Sequence, residues 1–201
     1  MQTRKIAARS LYYGTPVALV STRSADGTDN LAPMSSSWSL RSSVVLGMGA
    51  ASATVENLRA RPELVLNLPS ADMWNQVEAI SAFTGRSDLP AHKAGQFAFS
   101  PDKFAVAGLT RQPSETVAPV RVSECPIQLE AVVESMVPVA DEPEGFVVVV
   151  ATIKVAHVHD DILTADQSAI DPDKWTPLIF NFRSYRGLTA TLGTMRRTVR
   201  R

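Results

Sequence analysis

Residues 14–38 read GTPVALVSTRSADGTDNLAPMSSSW, and this stretch decides the fold more than any other part of the chain. Its first apolar segment, Pro16–Thr22, is rich in residues that favour β-strands. Asp26-Gly27 then indicates a tight turn, and a second apolar segment begins at Asn30. The pattern predicts a β-hairpin that leads directly into three serines, Ser35–Ser37.

The rest of the chain alternates predicted strands with two predicted helices. Strands are expected at Ser43–Met48, Glu63–Pro69, Pro126–Ser135 and Phe146–His159, and helices at Ala53–Arg61 and after a capping Ser70. Residues 86–120 contain four dispersed prolines and predict an irregular cover or a segment with short helices. Many short strands with two helices favour a barrel decorated with helices over a doubly wound sheet.

Composition limits the classes of function. The chain has 201 residues, 45% hydrophobic and 20% charged, which predicts one globular domain spanning residues 1–201. Its 20 basic and 20 acidic residues cancel, so no net charge attracts nucleic acid or an anionic membrane. There is no long apolar run, and the single cysteine, Cys125, fits a reducing compartment. We therefore expect a cytoplasmic protein without nucleic-acid or membrane partners.

Ser52 and Thr54 stand where a predicted strand gives way to the helix at Ala53–Arg61. Backbone N–H groups at a helix start lack intrahelical partners and carry positive partial charge, and the two hydroxyls add donors for a phosphate. Arg59 is a candidate outer charge. A simple helix cap explains the same residues and is the better interpretation of this segment alone. The three serines also need polar partners, which a ligand or water can supply.

The order and spacing of several segments resemble the flavin reductase-like, FMN-binding split-barrel family. These segments are residues 14–22, Asp26-Gly27, Asn30–Ser35, Ser52–Leu58, Val65–Pro69, Lys103–Thr110, Val120–Pro126 and Asn181–Leu188. The resemblance therefore extends over nearly the whole chain, and it rests on the order of the segments rather than on one diagnostic motif.

The resemblance implies a mainly β fold with helices, a six-stranded antiparallel split barrel, usually a homodimer with FMN near the subunit interface. The cofactor-binding residues that carry over are Pro33, Met34, Ser35, Ser36 and Ser37 at the flavin ring, Ser52, Thr54 and Asn57 at the phosphate, and Phe104 near the ring. Many relatives carry a lysine and an aspartate just before the threonine, where this chain has Ser52 and Ala53. A charge is therefore missing from the expected phosphate site.

Bound FMN would imply an oxidoreductase, with NADH or NADPH as the electron donor and a partner oxygenase as a recipient of reduced flavin. Several short flavin reductases carry a Gly-Asp-His segment for the nicotinamide, and residues 150–161 here lack it. Two alternatives stay open. One is an FMN-holding electron carrier or a flavoenzyme acting on a non-nicotinamide substrate, and the other is a non-enzymatic split-barrel binding module.

Four late residues and the basic tail are further candidates. His157 and His159 could begin a metal site, but no third His or Cys is clustered with them, so a solvated strand end is favoured and no metal is expected. Arg183 or Tyr185 would complete the flavin pocket or pack at a dimer interface. The tail at residues 195–201 reads as a solvated terminus.

Overall fold

The computed structural model describes residues 1–7, 11–89, 95–140 and 145–193; the basic tail lies outside them. The strands of this part of the chain are β1 (Tyr13–Pro16), β2 (Ala18–Arg23), β3 (Asp29–Met34), β4 (Ser37–Leu40), β5 (Ser43–Gly49), β6 (Glu63–Leu68), β7 (Phe83–Thr84), β8 (Ala98–Phe99), β9 (Arg111–Gln112), β10 (Arg121–Val122), β11 (Ile127–Val139), β12 (Phe146–Val158), β13 (Ile179–Asn181) and β14 (Ser184–Arg186). The α-helices are α1 (Ala53–Ala60), α2 (Trp74–Ala79) and α3 (Lys103–Ala107).

Seven strands form one antiparallel sheet in the order β3-β2-β6-β11-β12-β5-β4. Its two edge strands, β3 and β4, are separated in sequence by Ser35 and Ser36 only. Because so short a connection spans at most about 11 Å, the sheet must curl until its two edges meet there. The result is a barrel that is split between β3 and β4, and we call the Ser35–Ser36 junction the seam.

The predicted fold class is confirmed, with a different number of strands. β2 and β3 form the predicted hairpin, in which Leu19 lies opposite Pro33. Six strands were expected in the barrel, whereas the main sheet has seven because Ser37 begins β4 instead of ending a serine loop. β4 returns into β5 through a two-residue turn, with Arg41 in the left-handed region at φ 57°.

The core has two parts because the hairpin strands are buried on both faces. Ala18 and Val20 point into the curled sheet, where α1 adds Val55 and Leu58. Leu19, between them in sequence, points to the outer face, where a second cluster packs α2 and α3 against the barrel. This arrangement holds the first residues of α1 and α3 beside the end of β3.

The second helix differs in detail from the prediction. Met73, Val77 and Ile80 are buried at the helical spacing that the sequence predicts. The Ser70 side chain does not cap it: a 3-10 turn at Ala71–Met73 precedes α2, and the Ser70 hydroxyl bonds to Asp72 instead. No helix in the described part of the chain is long and apolar enough to cross a membrane.

Candidate functional site

A cleft of about 590 Å³ opens at the seam of the barrel. We call it the main cleft. One wall is the end of β3 with the seam itself, and the facing wall is the end of β5 with the start of α1. Aromatic side chains complete it: Tyr12, Phe97, Phe180 and Tyr185. Small-molecule sites in proteins typically measure about 300–1,000 Å³, so the main cleft has the size of a cofactor site.

A second cavity of about 210 Å³ adjoins the main cleft at the start of α1. We call it the annexe. The residues that line both spaces include Pro33, Gly49, Ser52 and Thr54, and those that line the annexe alone include Asn30, Gly85 and Lys103. The two spaces therefore adjoin, and together they suit a ligand with a broad ring and a short polar tail.

The start of α1 presents unpaired backbone donors to both spaces. Ser52 is the N-cap: its Oγ accepts from the Val55 amide at 3.2 Å, and its carbonyl accepts from Glu56 at 3.1 Å. The Ala53 and Thr54 amides therefore keep no acceptor inside the helix. The Thr54 Oγ1 accepts from Asn30 Nδ2 at 3.2 Å, so its own hydroxyl hydrogen stays free to donate.

The seam offers further donors. The part of the chain that the structure describes provides no hydrogen bond to Ser35, whereas Ser36 Oγ donates to Tyr12 Oη at 3.3 Å. The Ser36 carbonyl accepts from the Gly47 amide at 2.8 Å. A Cβ at Gly47 would lie 3.4 Å from the Ser36 Cβ, so this glycine permits the close approach of β5 to the seam.

The aromatic wall is built from two distant parts of the chain. The rings of Tyr12 and Tyr185 each lie 5.5 Å from the Phe180 ring between centroids. Tyr185 Oη donates to Glu78 Oε2 at 3.0 Å, and burial together with this carboxylate raises the pKa of Tyr185 to about 12. Tyr185 is therefore a neutral side chain of the cleft wall.

Six of the nine predicted cofactor residues line the main cleft, namely Pro33, Met34, Ser35, Ser36, Ser52 and Thr54. The structure does not bring the other three there. Ser37 is paired with Leu46 in the sheet, and Phe104 is fully buried in the outer core with the Arg111 guanidinium 4.4 Å from its ring centroid. The Asn57 side chain is also buried, because its Nδ2 donates to Thr22 Oγ1 at 3.0 Å.

Asn57 nevertheless has a connection to the start of α1. Thr22 Oγ1 also accepts from Asn30 Nδ2 at 3.2 Å, and the same Asn30 amide donates to Thr54. Asn57 therefore acts through Thr22 and Asn30 to fix the Thr54 side chain. Sequence spacing indicated the correct helix, but it could not show that this amide faces the barrel interior.

The remaining candidates lie away from the main cleft. Arg59 is in the last turn of α1, at the end opposite Ser52. Arg183 is exposed in the tight turn before β14, at φ 68°. His157 Nε2 donates to Glu130 at 2.8 Å, and His159 Nε2 lies 3.0 Å from the Ser123 carbonyl. Within the described ranges, no group of three His, Cys, Asp or Glu residues is placed to hold a metal ion.

Sequence reasoning missed Lys103, which lines the annexe and is only 4% exposed. The motif containing it drew attention to Phe104 as a residue near the ligand. A lysine at the first position of a short helix, directly after the irregular segment, carries no sequence signal of burial. Its assignment requires the packing of α3 against the end of β3.

Comparison with known proteins identifies the family. The family model described as "Flavin reductase like domain" matches residues 9–189. The chain belongs to this family. Membership supports a flavin-related oxidoreductase.

Individual relatives agree with this assignment. The chain is similar to the uncharacterized protein YdfE of Bacillus subtilis, with 39% identity over 94% of this chain and 91% of that protein. Among solved structures it resembles the flavoredoxin of Desulfovibrio vulgaris, with a TM-score of 0.78 and 23% identity over 96% and 97% of the two chains. It also resembles nitrilotriacetate monooxygenase component B from Bacillus cereus, with a TM-score of 0.72 and 18% identity over 90% and 87%. At these identities the two structures support the fold alone.

Proposed function

We propose that this flavin reductase-like protein binds FMN, with the ring in the main cleft and the phosphate in the annexe. The observation that carries the proposal is that the two spaces adjoin and share the lining residues Pro33, Gly49, Ser52 and Thr54. One space is wide and partly aromatic, and the other is small and bordered by unpaired donors and a lysine. This division matches a flat ring joined to a charged tail.

The residues of each space have separate tasks. Ser35, which has no hydrogen bond within the described structure, would donate to the polar edge of the ring and favour negative charge there. The Ala53 and Thr54 amides and the Thr54 hydroxyl would donate to the phosphate. Tyr185, held neutral by burial and Glu78, would cover the ring without adding charge. When bound, FMN supplies the electron-transfer chemistry, which these side chains only orient and shield.

We further propose an NADH- or NADPH-dependent reductase activity, with a homodimer as the working form and an oxygenase as one acceptor of reduced flavin. The similarity to a monooxygenase component supports the acceptor class.

An FMN-holding electron carrier is the second candidate. A specific observation favours it: His157, the histidine of the late strand, is bonded to Glu130 and Glu115 lies 3.8 Å from its other nitrogen. Neither His157 nor His159 lines the main cleft.

The proposal is tested by titrating the purified protein with FMN, FAD and riboflavin while flavin fluorescence is recorded. We expect saturable quenching that is strongest with FMN. NADH and NADPH are then added, and their oxidation is followed with and without added FMN. Preferential binding of FAD would refute the cofactor assignment, and absence of any quenching would favour a split-barrel module without flavin.

A matched pair of variants links binding to the site. Thr54→Val keeps the side-chain volume but removes the hydroxyl, so FMN affinity should fall roughly 10-fold. Thr28→Val is the control, because Thr28 is exposed in the hairpin turn and lines neither space. FMN that survives dialysis, together with no oxidation of NADH or NADPH, would select the electron carrier over the reductase.

A further inference from the structure

Lys103 is the buried first residue of α3, and it lines the annexe together with residues of β3 and with Gly85. It is 4% exposed. Lysine is rarely buried to this extent unless an anion or several acceptors surround the ammonium group. Burial alone lowers the pKa of Lys103 to about 8, which leaves the side chain largely charged at neutral pH.

No hydrogen bond or ion pair joins the Lys103 ammonium to any residue that the structure describes. Asp29 is one acidic residue that lines a further cavity of about 220 Å³ together with Lys103. The Asp29 carboxylate is already flanked by Arg23 at 3.8 Å and Arg111 at 3.6 Å. The ion pairs of Asp102, the residue before Lys103, are likewise with Arg111. Lys103 is therefore a buried cation without a partner among the residues that the structure describes.

The annexe brings Lys103 together with the start of α1. The annexe is also lined by Ala53 and Thr54, whose backbone amides are unpaired within the helix. The Thr54 hydroxyl hydrogen is free to donate as well. Gly85 also lines the annexe and packs tightly there: a Cβ at this position would lie 2.5 Å from Asn30 Oδ1 and 3.2 Å from the Ala53 Cβ. The space therefore combines backbone donors, a hydroxyl and one uncompensated positive charge, which is the chemistry of a phosphate site.

We propose that Lys103 is the cation that binds the phosphate of the flavin and gives this chain its preference for FMN over riboflavin. The inference rests on the proposed function, because it assumes that the ring lies in the main cleft. The start of α1 contributes no charged side chain to the annexe, where it is represented by Ser52, Ala53 and Thr54. Lys103 supplies the positive charge from a different helix, α3.

The test compares Lys103→Met with Lys154→Met in the full-length protein. Methionine keeps the length of the side chain and removes the charge. Lys154 is exposed on β12 and lines neither the main cleft nor the annexe, so it controls for the loss of one positive charge from the whole protein. For each variant we measure the Kd of FMN and of riboflavin by fluorescence quenching, and the melting temperature without ligand.

Lys103→Met should weaken FMN binding roughly 10- to 100-fold, since a charge-assisted hydrogen bond to the phosphate is lost. Riboflavin binding should not change, because riboflavin has no phosphate. The melting temperature of the ligand-free protein should stay the same or rise, because an unpaired buried charge becomes an apolar side chain. Lys154→Met should leave all three quantities unchanged.

The outcomes separate the inference from the proposed function. If the unmodified protein binds neither flavin, the proposed function fails. If it binds FMN and Lys103→Met binds FMN equally well, the role of Lys103 is wrong while FMN binding stands. If Lys103→Met lowers the melting temperature and weakens FMN and riboflavin equally, Lys103 is a structural partner of Asp29 and the inference is overturned.

Discussion

Glu130 and Lys103 are both buried charged residues, yet their surroundings are opposites. Glu130, on β11, has no exposed surface and accepts four hydrogen bonds, from the Glu115 and Thr116 amides, the Thr116 hydroxyl and His157. In addition, Arg121 Nε lies 3.7 Å from Glu130 Oε1 and forms an ion pair with it. The Lys103 ammonium group donates no hydrogen bond to any residue that the structure describes.

The difference shows how the role of a buried charged residue can be inferred from its hydrogen bonds. A carboxylate with every lone pair engaged stabilises the fold: it fixes the loop at residues 113–119 to the barrel. A cation left without partners gains nothing in the ligand-free protein and has a role only when an anion arrives. Polar satisfaction, rather than burial itself, separates structural from binding residues here.

The largest effect is expected at the satisfied charge. Glu130→Ala leaves His157, the Thr116 hydroxyl and two amides without their acceptor and removes the ion pair with Arg121, so the free energy of unfolding should fall by about 3–5 kcal/mol. Denaturant unfolding measures this. Glu134→Ala, on the exposed face of the same strand, is the matched control and should change stability by less than about 0.5 kcal/mol. Equal effects of the two changes would contradict the structural role of Glu130.

The same carboxylate predicts an acid dependence. Burial would raise the pKa of Glu130, but the bonds from Thr116, Glu115 and His157 outweigh burial and hold the pKa at about 2, below its ordinary value of 4.5. A carboxyl group with a lowered pKa in the folded protein stabilises the fold at pH values above its pKa in the unfolded chain. This stabilisation is lost as the pH falls through the pKa of the folded state. The difference in the free energy of unfolding between the unmodified protein and Glu130→Ala should therefore decrease as the pH falls from 4.5 to about 2. A constant gap would refute this pKa.

The next effect concerns the closure of the annexe. Gly85→Ala places a Cβ 2.5 Å from Asn30 Oδ1, so the wall must shift, and the free energy of unfolding should fall by about 1–3 kcal/mol. FMN affinity should also fall, since the moved wall narrows the phosphate space. Gly193→Ala, where a Cβ meets nothing within 4 Å, is the control. Unchanged FMN affinity in Gly85→Ala would remove the annexe from the binding site.

Ser52 tests whether a cap and a phosphate ligand can be told apart. Ser52→Ala removes the bond to the Val55 amide and should cost about 0.5–2 kcal/mol of stability. Ser52→Asp keeps a capping acceptor, so it should be nearly as stable as the unmodified protein. Its added negative charge should weaken FMN much more than riboflavin. If Ser52→Asp binds FMN normally, Ser52 is a cap only and the phosphate lies elsewhere.

The smallest effect is expected on the aromatic wall. Tyr185→Phe loses one hydrogen bond to Glu78 and should lower stability by about 0.5–1.5 kcal/mol. Since burial and Glu78 raise the pKa of Tyr185 to about 12, its contribution is complete below pH 10 and disappears as the pH approaches 12. Ultraviolet titration of tyrosinate in the two proteins checks this. Loss of a tyrosine that titrates near pH 10, rather than near pH 12, in the Tyr185→Phe protein would contradict it.

Much of the fold could be predicted because the decisive signals are local. The hairpin of β2 and β3, α1, β6 and the two long strands follow from apolar runs and turn residues that lie next to each other in sequence. β4 could not be predicted in the same way. Ser37–Leu40 is short and mostly exposed, and its pairing with β5 depends on the curl of the whole sheet.

The site was predictable on one side only. Family order indicated the seam and the start of α1, which are the walls close together in sequence. Tyr12, Phe180 and Lys103 come from distant segments, and no periodicity relates them to Ser52 or Thr54. Phe104 was expected near the ring, but the helix turns it into the outer core and places its neighbour Lys103 at the annexe.

A crystal structure of the protein with FMN tests most directly whether the unpaired donors form the ligand site. The phosphate is expected in the annexe, with its oxygens about 3 Å from Thr54 Oγ1 and the Lys103 ammonium group, and the ring in the main cleft beside Ser35. A flavin bound elsewhere, or a phosphate in solvent while Lys103 stays unpaired, would contradict the account.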